Sequence, residues 1–276
     1  MKIKIQACFI FFFYCTLFCI AQKNCSVNNQ TFKSNEQLNY KIYYNWGAIW
    51  MAAGEASFNT YKTKIRELET YHFVGLGATY PKYDWFYKVR DKYESYVDTA
   101  TLKPIRFTRE CYEGSNYTFD DYVFTQKTNK VYTSSKRDKK NSKIDSIKVT
   151  NCTNDVLTAI YHARCLDFSI YKPNDTIPIV FVLDGEVFPS YIRYLGKEVI
   201  KSELLGTVRC IKFKPKLIEG TIFKEGEGMT VWVTDDKNKL PVYVETPLTI
   251  GTIKVMLTSY TNLRNPMDGV IKSKAP

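Results

Sequence analysis

The sequence predicts a mainly β protein, an antiparallel sheet with one main α-helix packed on it, and three observations carry that expectation. Apolar residues recur with a period of two far more often than 3.6. Gly, Asn, Asp and Pro punctuate the chain where hairpin turns belong. Phe, Tyr and Trp make up 15% of the residues, and with abundant Thr, Val and Ile they suit the pleated surface of a strand.

The first residues are of another kind. Lys2 and Lys4 precede an apolar run from Ile5 to Ile20, the charged-then-apolar order of a secretory signal. The run falls short of the roughly 20 residues that a bilayer-spanning helix needs, and the polar Gln22-Lys23-Asn24 follows at once. Residues 1–21 are therefore read as a signal peptide cleaved after Ala21, with no transmembrane segment left. Behind it we expect a flexible mature N-terminus over 22–35, a single β-rich domain over 36–264 and a flexible C-terminal tail over 265–276. The expected location is outside the cytoplasm, in the periplasm or at the cell surface.

Loss of the signal removes two lysines and no acid, so the formal charge falls from +11 to +9. The remaining cations are scattered, apart from the stretch around Lys136, Arg137, Lys139, Lys140 and Lys143, which reads as solvated loop. Export and the lack of any nucleic-acid module signature exclude nucleic acid as the expected partner. Cys25, Cys111, Cys152, Cys165 and Cys210 remain, too few and too odd in number for a disulfide scaffold. No C-x-x-C pair occurs, and His72 and His162 are the only imidazoles, so no structural zinc and no cofactor are expected. The cysteines read as small buried hydrophobes with room for one bridge.

Along the chain, Leu38, Tyr40, Ile42 and Tyr44 alternate with polar neighbours, as do Val231 and Val233, and Ile253, Val255 and Leu257. Ile179-Val180-Phe181-Val182-Leu183 is apolar on both parities, which suggests a strand covered on both faces. Turn signals stand at Gly47, Gly54, Gly114, Asp184-Gly185, Gly220, Asp235 to Asn238 and Pro247 to Gly251. By these signals about ten to twelve strands are expected. Residues 154–166 break the period: Leu157, Ile160, Tyr161 and Arg164 fall at i, i+3, i+4 and i+7, one face of a helix. Thr153 or Asn154 is the expected cap, with Asp155 complementing the dipole in the first turn. Its length keeps Cys152 and Cys165 roughly 20 Å apart, too far for a mutual disulfide. A shorter helical turn is expected near Pro81 to Tyr87.

At this helix a resemblance enters. Asp155-Val156-Leu157-Thr158-Ala159-Ile160-Tyr161-His162-Ala163-Arg164 resembles the Asp-Pro-Leu-Ser-Ala-Leu-Tyr-Tyr-x-Arg segment of the bacterial family known as domain of unknown function 3108. Leu38 to Tyr44 with Ala53-Gly54-Glu55-Ala56 resembles that family's opening hairpin, and Asp98 to Pro104 its strand-to-turn step. Val231 to Asp236 with Leu240-Pro241, followed by Gly251 to Val255, resembles its later hairpin. Val156 stands where the family often has proline, and His162 where it often has an aromatic. The resemblance spans residues 36–264. It implies a periplasmic or surface protein with a large curved antiparallel sheet, a half-barrel or open barrel akin to the lipoprotein carriers of outer-membrane sorting. It supplies no activity.

Function is then sought in the residues. No Gly-x-Ser-x-Gly elbow or phosphate-cradling loop occurs, His72 and His162 sit in strand and helix patterns, and the acid pairs Glu225/Glu227 and Asp235/Asp236 flank turns. The expectation is a non-enzymatic protein. Trp46, Trp50, Trp85 and Phe86 lie in less regular stretches where they can line a cleft, and Tyr161 and Arg164 lie on the helix; these six are the candidate ligand-binding residues. Arg164, if buried, needs a carboxylate such as Asp91 or Asp155, or a ligand anion. The reading is a binding or carrier module for an apolar or amphiphilic envelope molecule, lipid among them. The alternative is an accessory envelope protein that binds another protein, and a glycan hydrolase stands third.

Overall fold

The computed structural model describes residues 27–46, 49–218, 226–248 and 251–273. The signal segment, Cys25, Gly47, Gly220 and Glu225 lie outside the described residues.

The chain opens with β1 (Gln37–Trp46), β2 (Ile49–Ile65), β3 (Leu68–Thr79) and, after a 3-10 turn at Pro81–Tyr83, β4 (Val89–Asp98). Then come β5 (Pro104–Glu113), β6 (Asn116–Thr125), β7 (Lys130–Arg137), β8 (Lys143–Lys148) and β9 (Thr153–Asp155). Helix α1 (Val156–Arg164) follows, with a second 3-10 turn at Phe168–Ile170. The rest is β10 (Thr176–Leu183), β11 (Glu186–Ser202), β12 (Gly206–Pro215), β13 (Thr230–Thr234), β14 (Pro241–Pro247), β15 (Thr252–Thr261) and β16 (Val270–Lys272).

All belong to one sheet, in the order β8-β7-β6-β5-β4-β3-β2-β1-β15-β14-β13-β12-β11-β10-β9, with β16 beside the start of β12. Every pairing is antiparallel except β9 with β10. The described strands outnumber the ten to twelve expected, and three of the excess, β8, β9 and β16, are short and carry no alternating apolar face. Gly54 is not a turn. It sits inside β2, where a Cβ would come 2.2 Å from the Ala78 carbonyl oxygen, so only glycine lets β3 approach there.

Curvature follows from connectivity. Lys148 and Thr153 stand on opposite edges of the sheet, yet residues 149–152 join them and span at most about 18 Å. The sheet has therefore curled until its edges nearly meet, and α1 packs inside against β3, β4, β9 and β10. The tip of the β10–β11 hairpin leans onto β5, β6 and β7: Gly185 N donates to Tyr122 Oη at 3.2 Å, and Asp184 takes Arg137 at 2.9 Å. Burial on the inner face gathers three core groups, the largest around Phe73, Phe107, Tyr122, Leu157 and Tyr161.

Helix α1 begins one residue later than its expected cap. Asp155 is the cap: Oδ1 accepts from Thr158 N at 2.8 Å, while Oδ2 accepts from Ser95 Oγ at 2.7 Å, tying the helix start to β4. Thr153 and Asn154 belong to β9 instead. The apolar run in β10 is not covered on both faces; Val182 is buried, whereas Val180 and Phe181 are half-exposed, Phe181 pairing with Phe188 across the β10–β11 hairpin.

Both terminal segments expected to be flexible are packed where they are described. Phe32 is fully buried, edge-on to Tyr71, Phe73 and Tyr161. Asn238 Nδ2 donates to the carbonyls of Asn265 and Pro266, Met267 joins the core around Leu240, and β16 closes the chain. Cys152 is disulfide-bonded, and since Cys165, Cys111 and Cys210 are free, its partner is none of these.

Candidate functional site

In an antiparallel meander alternate connections lie at the same end. The β1–β2, β3–β4, β5–β6, β7–β8, β10–β11 and β14–β15 connections share one end, which we call the mouth; the other is the base. Helix α1 starts below the mouth, where Asp155 pairs with Val182, and runs to the base. There Arg164 forms a two-pronged pair with Glu36 (2.6 and 3.1 Å) and also donates to Asn238 O. His162 Nε2 meets Leu102 O at 2.9 Å, and burial pushes the His162 pKa down.

The inward side chains of β3 change character along the strand. Toward the base they are Tyr71 and Phe73, and Phe73 stacks on Tyr161 with centroids 3.7 Å apart. Toward the mouth the same parity places Gly75 and Gly77. Leu157 Cδ1 fills the space over Gly75, 3.5 Å from where a Cβ would stand, but a Cβ at Gly77 would meet nothing closer than Asp91 Cβ at 3.9 Å. The missing side chains leave a cleft of about 190 Å³ between α1 and β2–β4. Its apolar wall is Phe58, Val156, Leu157 and Ile160, and its polar end is Asp91 and Tyr93. Ile160 is 43% exposed although it lies on the helix inside the sheet, because none of the described residues covers it on the cleft side.

Tyr93 also borders a second, polar compartment of about 350 Å³ nearer the mouth, lined by Arg109, Cys111, Glu113, Tyr117, Arg137 and Asp184 among others. Both arginines are committed. Arg109 and Arg137 each grip Asp120, and both reach Asp184, which locks β5, β6 and β7 to the β10–β11 tip. Burial alone would raise the Asp120 carboxyl; the two guanidinium groups hold it below its ordinary value. Asp91 and Glu113 have no such partner. Pairing of Val89 with Glu113 and Asp91 with Cys111 makes them diagonal neighbours on one face of β4 and β5. Burial, then the Glu113 charge, pushes Asp91 up to about 7, and its Oδ1 has no hydrogen-bond partner. Burial likewise raises Glu113, against the pull of Arg109. Burial pushes the Cys111 thiol up to about 12, so it is not a thiolate nucleophile at neutral pH.

The six expected ligand residues do not assemble here. Tyr161 and Arg164 are core, and the Arg164 partner is Glu36, not Asp91 or Asp155. Trp50, Trp85 and Phe86 lie at the mouth, Trp85 83% exposed and set against Phe86, with Lys254 Nζ 4.0 Å over the Trp50 ring. Trp46 ends β1, and its side chain lies outside the described ones. Of the acid pairs noted in the sequence, Glu227 is held by Arg193 and Tyr191, and Asp235 and Asp236 serve Lys197 and the turn at Asn238. The cleft carboxylates are separated by twenty-one residues and meet only through strand pairing. The readable signal was Gly75 and Gly77 at the parity of Tyr71 and Phe73, a strand whose inner face runs bare.

Fold and site together define a class: a helix-plugged open β-barrel with an amphipathic cleft under its mouth. The chain belongs to the family described as protein of unknown function (DUF3108), whose model matches residues 39–258. Among solved structures it is similar to a beta-barrel-like protein of domain of unknown function DUF1849 from Brucella abortus, at TM-score 0.55 and 9% identity, covering 84% of this chain and 99% of that one. That likeness is one of fold. No curated protein matches the chain. Among the described residues no helix is long and apolar enough to cross a membrane, and no group of three or more His, Cys, Asp or Glu side chains could hold a metal ion.

Proposed function

We propose that this is an exported, non-catalytic binding module that takes the apolar part of a small amphiphilic molecule into the cleft between α1 and β2–β4. The observation that carries the reading is the bare inner face at Gly75 and Gly77 beneath the half-exposed Ile160. A protein interior normally closes such space with side chains, and both sequence positions forgo them. The volume sets the scale: about 190 Å³ exceeds the roughly 150 Å³ apolar cavity that accepts benzene but falls below the about 300–1,000 Å³ of pockets for whole drug-sized ligands. A short apolar group fits, a full acyl chain does not. Export to the periplasm or cell surface is supported by the Lys2 to Ala21 pattern and by the disulfide at Cys152, which suits an oxidising compartment.

Titration with an environment-sensitive naphthyl fluorophore tests the reading. The mature protein should enhance its emission with about micromolar affinity. Gly77→Leu and Ile160→Trp, each of which fills the cleft, should abolish the response while a cooperative melt is kept. A second reading rests on Ile49, Trp50, Trp85 and Phe86, apolar side chains exposed at the mouth: an accessory protein that docks a partner by this rim. No fluorophore response from a well-folded protein would favour it.

A further inference from the structure

We infer that the molecule taken up carries a positive charge, a primary ammonium seated between Asp91 and Glu113 with its hydrocarbon in the cleft. This rests on the cleft reading above. The charge count at the junction of the two compartments carries it. Arg109 and Arg137 are offset by Asp120 and Asp184, and among the described residues no lysine lines either compartment, so Asp91 and Glu113 are left as uncompensated acids beside an apolar wall. Asp138, the remaining acid of the lining, accepts from Tyr117 N at 2.7 Å and sits in the β7–β8 turn.

An anionic head group would meet two carboxylates and two arginines already bound. A neutral one would leave the Asp91 Oδ1 to find a donor. An ammonium supplies up to three donors and a charge where Asp91 and Glu113 offer acceptors without a base. The groups facing Asp91 and Glu113 are Tyr93 and Tyr87, the Cys111 thiol, Arg109 and Asp184. None of them is a free base. Burial and mutual repulsion keep Asp91 near neutrality in its titration, so cation binding must displace a proton below about pH 7.

Calorimetric titration of the mature protein at pH 8 with hexylammonium, hexan-1-ol and hexanoate tests this, six carbons being matched to the cleft. Hexylammonium should bind at least tenfold tighter than hexan-1-ol, and hexanoate weakest. The hexylammonium affinity should drop about tenfold between pH 8 and pH 6 as Asp91 takes up its proton, while hexan-1-ol is unmoved. Glu113→Gln, at a half-exposed position that tolerates change, and Asp91→Asn should each bring hexylammonium down to the hexan-1-ol level without weakening hexan-1-ol. Equal binding of the alcohol and the ammonium, or tightest binding of hexanoate, would overturn the inference and leave the cleft reading standing. Failure of all three ligands would overturn both.

Discussion

The base and the mouth of this half-barrel are built from the same strands and obey opposite rules. At the base, Arg164 meets Glu36 and Asn238, Tyr161 Oη receives Thr60 Oγ1 at 3.0 Å, and Phe32, Tyr71, Phe73 and Tyr161 pack ring against ring. Among the buried side-chain polar atoms described there, only Arg164 Nε lacks a partner. Twenty ångströms or so along the helix direction, at about 3.3 Å per strand residue from Tyr71 to Gly77, glycines replace aromatics and two carboxylates stand without a base. The base pairs its polar groups with one another, whereas toward the mouth Asp91 and Glu113 stand without a basic partner beside the paired Arg109, Arg137, Asp120 and Asp184.

The largest effect should come from breaking the base. Glu36→Ala strands a buried guanidinium, and denaturant unfolding should show a loss of about 3–5 kcal/mol. Next comes the joint between the two ends. Asp155→Ala removes the cap of α1 and the acceptor for Ser95, and the same measurement should show a loss of about 2 kcal/mol.

Substitution at the mouth should reverse the sign. The Asp91 carboxyl is raised in the folded protein to about 7 from an unfolded value of about 3.9. The native state therefore binds more protons than the unfolded state between those limits, and this group lowers stability as pH climbs from about 4 to 7. Asp91→Asn should be more stable than the parent at pH 8 by about 1 kcal/mol, solvent screening allowed for, and no different near pH 4; a variant less stable at pH 8 would show that Asp91 is a structural acid. The smallest effect belongs to Trp85→Ala, which should shift unfolding by less than about 0.5 kcal/mol because the ring is largely in solvent.

The two ends also differ in how far they can be read from sequence. Alternation at Leu38 and Tyr40 and at Val231 and Val233 marks residues that are buried, and the i, i+3, i+4, i+7 series finds α1 with Leu157 and Tyr161 in the core. Local periodicity reports which face a side chain takes, so it reaches these. It does not reach the partner of Arg164, which lies 128 positions away at the first residue of the expected β-rich domain. Nor does it bring Asp91 to Glu113, since that depends on the register of β4 against β5. Trp50, Trp85 and Phe86 attract attention by type, yet burial is decided by where the strands end: Trp85 and Phe86 fall beyond that point, and Trp50 stands at the second residue of β2, at the rim. The bare parity at Gly75 and Gly77 was the part of the site that a strand pattern could reveal.

The central claim is that an apolar group enters between α1 and the glycine-lined part of β3, and methyl NMR tests it most directly. With the methyls of Leu, Val and Ile labelled, added hexylammonium should shift Val156, Leu157 and Ile160 and leave Leu240, Val242 and Leu257, in the core group around β14 and β15, in place. Saturable shifts confined to the first group are the predicted result. Shifts confined to Ile49 and other methyls of the rim, or none at millimolar ligand, would contradict the account.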